Sequence, residues 1–171
     1  MTDRFYAGIG SRETPVDVLE LMTRFARAAA ADGWVLRSGR ALGADQAFEK
    51  GAGEPAEIFL PWADFAPKWV SVARYVQPIP KPKAYEVSAR HHPAWRHLGD
   101  GVRALHARNA HQILGRELDS PVGFVLCWTP GAKVIGGTAQ ALRIAAAYDI
   151  PIHNLADKIT RAAIETQLAQ K

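Results

Sequence analysis

WVLRSGRALGADQAFEKG, from Trp34 to Gly51, contains three different local patterns in a row. Trp34–Leu36 is a short apolar run that predicts a buried strand, Ser38–Gly43 carries the small residues of a turn, and the residues from Ala44 onward show helical spacing. Glycines let a ligand approach the main chain, and the first turn of a helix presents N–H groups with partial positive charge. The junction therefore predicts a binding place for a phosphate or a carboxylate.

Two other segments of the chain have the same form. Phe5–Arg12 is a strand that runs into a Gly/Ser turn ending in a guanidinium, and Phe124–Trp128 is a strand followed by a loop and by Gly136–Thr138, which opens an Ala-rich helix. The carboxyl ends of parallel strands lie on one edge of an open α/β sheet, where ligands bind. We expect the three loops to meet there.

The alternation of strands and helices predicts a single α/β domain over residues 1–171, a Rossmann-like three-layer sandwich with a mostly parallel sheet. Thr14 is expected to cap the first helix, with Pro15 at its first position and Gly33 after its end. Further expected elements are a strand at 56–61, a helix at 100–118, a strand at 121–128, a helix at 138–148, a strand at 150–154 and a helix at 157–170.

Residues 62–98 interrupt this alternation with several prolines, but they are too aromatic for a solvated linker. We expect a packed, irregular insertion with short helices near 66–74, 84–91 and 93–97. Two interpretations of the basic charge remain open, because residues 66–116 carry nine Lys or Arg against two acids. The segment is either a basic face for a polyanion, with Trp62, Trp69 and Trp95 as stacking platforms, or an ordinary solvated surface.

Composition excludes several other classes of protein. The lone Cys127 lies in an apolar run and cannot form an intramolecular disulfide, which is typical of a reducing compartment. No apolar run approaches the ~20 residues of a membrane span. Histidine spacing fits no metal motif, and no G-x-S-x-G elbow is present. We expect a cytoplasmic protein that needs neither a metal nor a cofactor and does not contact membranes.

Known phosphate-binding motifs match only in part. The turn at Gly8–Arg12 lacks the third glycine of the dinucleotide fingerprint, since Glu13 stands at that place, and no Walker lysine exists. It is either a phosphate grip with Arg12 as the bidentate donor or an ordinary turn with an exposed arginine. Asp45 and Glu49 share one face of their predicted helix. They either complement its dipole or act at the ligand, on a ribose or as a general base.

Four motifs together resemble the SLOG superfamily of Rossmann-like proteins, and most closely its DNA-processing (DprA/Smf) branch. They are YAGIGSR at 6–12, LRSGRALGADQAFEKGA at 36–52, RNAHQILG at 108–115 and IGGTAQALRIAAAYDIPIHNL at 135–155. Members bind nucleotides, nucleotide-derived signals or single-stranded DNA. The resemblance implies that one anion-binding crevice is formed by Gly8, Gly10, Ser11, Arg12, Ser38, Gly39, Arg40, Gly43, Ala44, Asp45, Arg108, Asn109, Gly136, Gly137 and Thr138. Arg40 stands where the family has a glycine.

A second branch, the Lonely Guy phosphoribohydrolases, is similar more distantly. Its P-G-G-x-G-T-x-x-E signature ends in a catalytic glutamate, whereas here Ile135 replaces the proline and Ala141 stands three residues after Thr138. The resemblance therefore implies a protein that binds a nucleotide derivative or single-stranded DNA, as a homo-oligomer such as a dimer. The alternatives are a nucleotide hydrolase that uses Asp45 or Glu49 as its catalytic carboxylate, and a module that sequesters a nucleotide signal.

Overall fold

A computed structural model describes residues 4–66 and 71–170. Six strands are present in these ranges: β1 Arg4–Gly10, β2 Trp34–Ser38, β3 Ala56–Phe59, β4 Tyr75–Gln77, β5 Val125–Trp128 and β6 Ile152–Asn154. The α-helices are α1 Val16–Ala31, α2 Ala44–Ala52, α3 Pro82–His91, α4 Asp100–Leu114, α5 Ala139–Ala147 and α6 Lys158–Ala169. Two 3₁₀ turns follow α3 and β5, at Trp95–His97 and Pro130–Ala132.

The strands form one sheet in the order β4-β3-β2-β1-β5-β6, and every pair is parallel. Strand β1 lies at the centre, with Ala7 opposite Arg37 of β2 on one side and opposite Val125 of β5 on the other. The first four strands run outward from β1 in one direction, and the chain then crosses over to add β5 and β6. The strand order thus reverses between β1 and β5.

Helices cover both faces of the sheet, which confirms the predicted three-layer α/β sandwich. Side chains alternate across the central strand. Tyr6 and Leu36 pack with α1 and α2 on one face, and the partly buried Ile164 and Leu168 of α6 join them. Ala7 and Ile9 point the other way, into a second apolar core built from α3, α4 and α5.

Helix α1 ends as predicted but begins differently. Gly33 follows its end with φ +78°, a value that favours glycine. At the start, however, Pro15 is the N-cap residue and no side chain caps the helix. The Thr14 hydroxyl donates instead to the Ser11 carbonyl, 2.7 Å away. The predicted Thr14 cap is therefore wrong, and this residue stabilises the turn after β1.

The insertion contains a strand that the sequence analysis missed. Residues Tyr75–Gln77 form β4 at the sheet edge, with Tyr75 opposite Glu57, in a run of only three residues bounded by Arg74 and Pro78. The expected helix near 66–74 falls partly outside the described residues, and residues 71–74 are not helical. Helix α3 and the 3₁₀ turn at Trp95–His97 occupy the other two predicted places.

Helix α4 is shorter than expected, since it ends at Leu114 instead of at 118. Gly115 follows it with φ +83°, and a Cβ there would lie 2.7 Å from the Arg37 guanidinium. The position thus requires glycine both for its conformation and for the close approach of that side chain.

Candidate ligand-binding cleft

A cleft of about 460 Å³ opens at the carboxyl ends of β1 and β5, where the strand order reverses. This is the place at which open α/β sheets bind ligands. Its walls come from the β1–α1 loop, the β5–α5 loop, the start of α2 and one face of α4. The volume lies within the usual range of roughly 300–1,000 Å³ for small-molecule sites.

Nine of the predicted site residues line this cleft, and they come from four different segments. These are Gly10, Ser11, Arg12, Asp45, Arg108, Asn109, Gly136, Gly137 and Thr138. Seven others do not line it: Gly8, Ser38, Gly39, Arg40, Gly43, Ala44 and Glu49. The structure thus brings three of the predicted loops together and places several of their residues behind the surface. That these nine residues bind a ligand remains a prediction.

The residues behind the surface pack α2 against the centre of the sheet. A Cβ on Gly8 would lie 2.5 Å from the Phe48 ring of α2, and a Cβ on Gly10 would lie 2.7 Å from that of Ala44. The Ser38 hydroxyl donates to the Gly8 carbonyl at 2.6 Å. The small residues therefore permit close packing of β1, β2 and α2, and the Ser38 hydroxyl is already used.

Arg40 and Glu49 form a buried ion pair away from the cleft. Nη2 and Nε of Arg40 donate to the two carboxylate oxygens of Glu49, at 2.9 and 3.2 Å, and the side chains are 8% and 3% exposed. The Ser71 hydroxyl also donates to Glu49, at 2.7 Å. Arg40 has φ +58°, in the left-handed region that favours glycine. The pair therefore holds the β2–α2 loop against α2, and the Ser71 hydroxyl adds a contact from the insertion. Neither Arg40 nor Glu49 lines the cleft.

Gly43 joins two of the cleft loops. Its φ is +86°, and a Cβ there would lie 2.9 Å from the Ser11 carbonyl oxygen and 3.0 Å from the Cα of Arg12. A residue with a side chain is thus disfavoured by its conformation and by the neighbouring backbone. Gly43 lets the start of α2 lie directly against the turn that carries Arg12.

Asp45 and Arg108 form a buried polar floor beneath the cleft. Asp45 accepts hydrogen bonds from the Gly39 amide at 3.1 Å and from Nε2 of Gln112 at 3.3 Å. Burial raises the pKa of Asp45, and the charge of Arg108 opposes that rise. Arg108 donates to the Gly39 carbonyl and, through Nε, to Oδ1 of Asn109 at 3.0 Å. A Cβ on Gly39 would lie 2.2 Å from Nη1 of Arg108, so this contact requires glycine.

Two arginines, Arg12 and Arg108, line the cleft, and their positive charges act on one another. Burial is the main cause that lowers the pKa of Arg108, and the charge of Arg12 lowers it further, while Asp45 opposes both. Arg12 is exposed on the rim. No hydrogen bond or ion pair joins its guanidinium to another side chain in the described part of the protein. An anion between the two arginines would relieve their repulsion.

The loop before α5 forms the opposite wall. Nδ2 of Asn109 donates to the Gly137 carbonyl at 2.9 Å and so fixes this loop to α4. Gly136 has φ +69°, and a Cβ on either Gly136 or Gly137 would meet nothing within 4 Å. No side chain caps α5 at Thr138. The backbone here is open to the cleft and lies across from Arg12.

Helix α4 supplies a stripe of cleft residues that the sequence analysis missed. Val102, Leu105, His106 and Gln112 line the cleft together with Asn109. Their helical spacing was the available signal, since i, i+3, i+4 and i+7 share one face. Ile9, Glu13, Ala41, Pro130, Ile135 and Ala141 complete the lining. The end of the cleft near Val102 is thus mainly apolar, and the end near Asn109 is polar.

Comparison with solved structures identifies the fold. The chain matches DNA processing protein A from Helicobacter pylori, a single-stranded DNA-binding protein, with a TM-score of 0.58 and 19% identity over 99% of this chain and 82% of that one. It also matches the Moco carrier protein of Chlamydomonas rheinhardtii, with a TM-score of 0.54 and 17% identity over 100% of both chains. Both proteins share with this chain a Rossmann-like α/β fold. No protein-family model and no curated protein matches the sequence.

The Rossmann-like fold that the sequence resemblance implied is therefore confirmed. The glycine that the family has at the second place of its loop corresponds to Arg40, whose φ of +58° is the conformation that glycine adopts easily. The added guanidinium points to Glu49.

Outside the cleft, three basic residues of the 66–116 segment lie next to acidic side chains. Arg116 pairs with Glu57 at 2.7 Å, Arg103 lies 3.7 Å from Asp100, and Lys81 bonds Glu117. Of the three proposed stacking platforms, Trp62 is 39% exposed and meets Phe65 edge-on, Trp95 is half-buried, and Trp69 lies outside the described residues. Much of the predicted basic face is thus neutralised by neighbouring acids.

Residues 4–66 and 71–170 contain neither a candidate metal site nor a candidate membrane-spanning helix. No group of three or more His, Cys, Asp or Glu side chains there is arranged to hold a metal ion. None of the helices in these ranges is long and apolar enough to cross a membrane.

Proposed function

We propose that this protein binds a phosphate-bearing nucleotide in the cleft, as a free small molecule. The observation that carries the proposal is that Arg12 and Arg108 both line the cleft, and that no hydrogen bond or ion pair holds the Arg12 guanidinium within the described residues. Asp45 offsets part of the charge of Arg108, whereas Arg12 is left to a ligand, and phosphate accepts guanidinium hydrogen bonds in a bidentate manner. The open backbone at Gly136 and Gly137 leaves room for phosphate oxygens on the other side.

Length and volume favour one nucleotide over a longer chain. The polar and apolar ends of the cleft, at Asn109 and Val102, are seven helical residues apart, or about 10 Å at 1.5 Å per residue. That distance suits a phosphate at one end and a base at the other. The structural neighbours, by name, bind single-stranded DNA and carry a cofactor, and ligand binding by this chain is in keeping with both.

Single-stranded DNA is the second candidate ligand, and salt dependence separates the two. The exposed Trp62 near the cleft favours DNA, because an exposed indole can stack on a base. An oligothymidine that neutralises several phosphates must lose affinity steeply as salt rises, whereas a small ligand in a cleft does so weakly. The proposal expects nucleoside monophosphates to shift the melting temperature at both 50 and 300 mM salt. A shift by oligothymidine alone, lost at high salt, contradicts it.

Arg12→Ala tests the phosphate contact directly. Arg12 is exposed and makes no contact that the fold needs, so we expect unchanged stability and roughly 10- to 100-fold weaker binding by calorimetry. Arg24→Ala is the matched control, since it removes an equal charge from the exposed side of α1, away from the cleft. Equal affinities of the wild type and the Arg12 variant would refute the proposed site.

Nucleotide hydrolysis is an alternative for which Asp45 is the one observation in favour. It lines the cleft, and burial raises its pKa, as in many general acids. Its carboxylate is, however, already bound by Gly39 and Gln112, which favours a positioning role. Chromatography of nucleoside monophosphates after incubation decides between the two. Release of free base by the wild type, and not by Asp45→Asn, would establish the hydrolase.

A further inference from the structure

The two ends of the cleft differ in chemistry. At one end lie Arg12, Asn109 and the open backbone of Gly137, which suit an anion. One to two helical turns before Asn109, Val102 and Leu105 of α4 line the cleft, and Ile135 adds a further apolar side chain to its lining. Apolar side chains of this kind pack against the faces of an aromatic ring. The polar edge of such a ring then needs a separate hydrogen-bond partner.

His106 is a polar side chain within this apolar end. It is 8% exposed, lines the cleft, and its Nδ1 is buried without a hydrogen-bond partner. The neutral ring carries one proton. If that proton is on Nε2, the buried Nδ1 carries only a lone pair. Burying an unpaired acceptor in this way costs less free energy than burying an Nδ1–H donor without an acceptor. Nε2–H is then the donor that remains for a ligand.

The surroundings of His106 keep the ring neutral. From the end of α3, the His92 ring lies 4.6 Å away between ring centroids, and the charges of Arg108 on α4 and Arg143 on α5 act on it as well. Burial first, and these three groups next, lower the pKa of His106 to about 4. At neutral pH the residue is thus an uncharged donor and contributes no positive charge that would attract a phosphate.

We propose that His106 recognises the base of the bound nucleotide, with Nε2–H donating to an acceptor atom on the edge of a nucleobase that lies against Val102, Leu105 and Ile135. This inference rests on the proposed function, because the phosphate end sets the orientation of the ligand. Nucleobases carry ring nitrogens or carbonyl oxygens as edge acceptors, and a base lying on these apolar side chains would shield the Nε2–H donor from water. His106 is then a residue that determines specificity.

The test compares ligands with and without a base. Ribose 5-phosphate contains the phosphate and the sugar only, whereas AMP, GMP, CMP and UMP add a base. Calorimetry of the full chain at pH 7.5 measures each affinity for the wild type, for His106→Leu, which has no donor, and for His106→Gln, whose amide N–H is placed to restore it. His97→Leu, at an exposed histidine outside the cleft, is the matched control.

We expect at least one nucleoside monophosphate to bind the wild type more tightly than ribose 5-phosphate. His106→Leu should weaken that nucleotide about tenfold and leave ribose 5-phosphate unchanged, as the loss of one buried hydrogen bond predicts. His106→Gln should recover most of the loss. Equal binding of ribose 5-phosphate and all four nucleotides would overturn the inference and leave the phosphate site standing. Equal weakening of both ligand types would overturn it too, while failure of every ligand to bind refutes the proposed function itself.

A measurement on the wild type covers the case in which His106→Leu does not fold. Nitrogen-15 NMR of the imidazole rings distinguishes a protonated from an unprotonated ring nitrogen. We expect His106 to be neutral with its proton on Nε2 at pH 7.5, and its Nε2 resonance to move when the nucleotide is added but not when ribose 5-phosphate is added. An unchanged resonance in the saturated nucleotide complex would contradict base recognition by this residue.

Discussion

Replacing Glu49 by glutamine should unfold this protein more easily without weakening its ligand. Glu49 was a candidate catalytic carboxylate by sequence, but its two oxygens bind Arg40 and it does not line the cleft. The substitution leaves a buried guanidinium without its counter-charge. Breaking one partner of a buried pair costs about 3 kcal/mol, or roughly 6–12 °C in melting temperature for a chain of this length.

A double substitution makes the test sharper. Arg40→Gly removes the buried charge and also suits the left-handed backbone at that position, where glycine avoids about 1 kcal/mol of strain. In Arg40→Gly/Glu49→Gln we therefore expect most of the loss caused by Glu49→Gln to be recovered, with a coupling free energy of about 2 kcal/mol. The matched control, Glu20→Gln on the exposed side of α1, should change stability by less than about 0.5 kcal/mol.

Urea unfolding followed by circular dichroism gives the stabilities, and calorimetry well below the melting temperature gives ligand affinity. Two results would refute the reasoning. One is a Glu49→Gln protein as stable as the wild type, which would mean that the ion pair does not hold the β2–α2 loop against α2. The other is a stable variant that has lost ligand binding or turnover, which would return Glu49 to the functional site.

Three further predictions concern acid stability, the open loop and the cysteine. The pKa of His106 is about 4 in the folded protein and near 6.5 in the unfolded chain, so the unfolded chain binds a proton at a higher pH than the folded one. The free energy of unfolding should therefore fall by up to about 3 kcal/mol between pH 6.5 and pH 4. In His106→Leu the fall over the same pH range should be smaller. Gly137→Ala and its control Gly99→Ala should both keep wild-type stability, since a Cβ at either position meets nothing within 4 Å. Only Gly137→Ala should bind ligand more weakly, about tenfold, because Gly137 lines the cleft and Gly99 does not. Cys127, whose pKa burial raises to about 12, should resist a thiol reagent at pH 8 until urea unfolds the chain; rapid native labelling would contradict this.

The sequence was sufficient for the fold because its signals are local. The apolar runs at β1, β2 and β5 and the glycines after them define strand ends that an open sheet must bring to one edge. Strand β4 was missed because three residues between Arg74 and Pro78 are too few to show alternation. Its pairing depends on the neighbouring β3.

The sequence predicted which loops form the site, but it did not predict which of their side chains line it. Arg12, Asp45 and Asn109 were placed at the cleft by motif, but a motif does not show which way each side chain points. Arg40 was expected to contact phosphate and instead turns to Glu49, a partner nine positions later, with Ser71 of the insertion beside it. Such contacts depend on tertiary packing, so local sequence reasoning could not supply them.

The reversal of strand order has a consequence for how the protein is made. Strand β1 is synthesised long before β5, yet the two strands are neighbours in the sheet, since Gly10 pairs with Trp128 far along the chain. The cleft lies at the ends of these two strands, and its far wall is the loop before α5. A growing chain can therefore assemble β1 to β4 before this cleft exists. Ligand binding then reports that synthesis has passed α5, and a ligand can stabilise only a chain whose two halves have already joined.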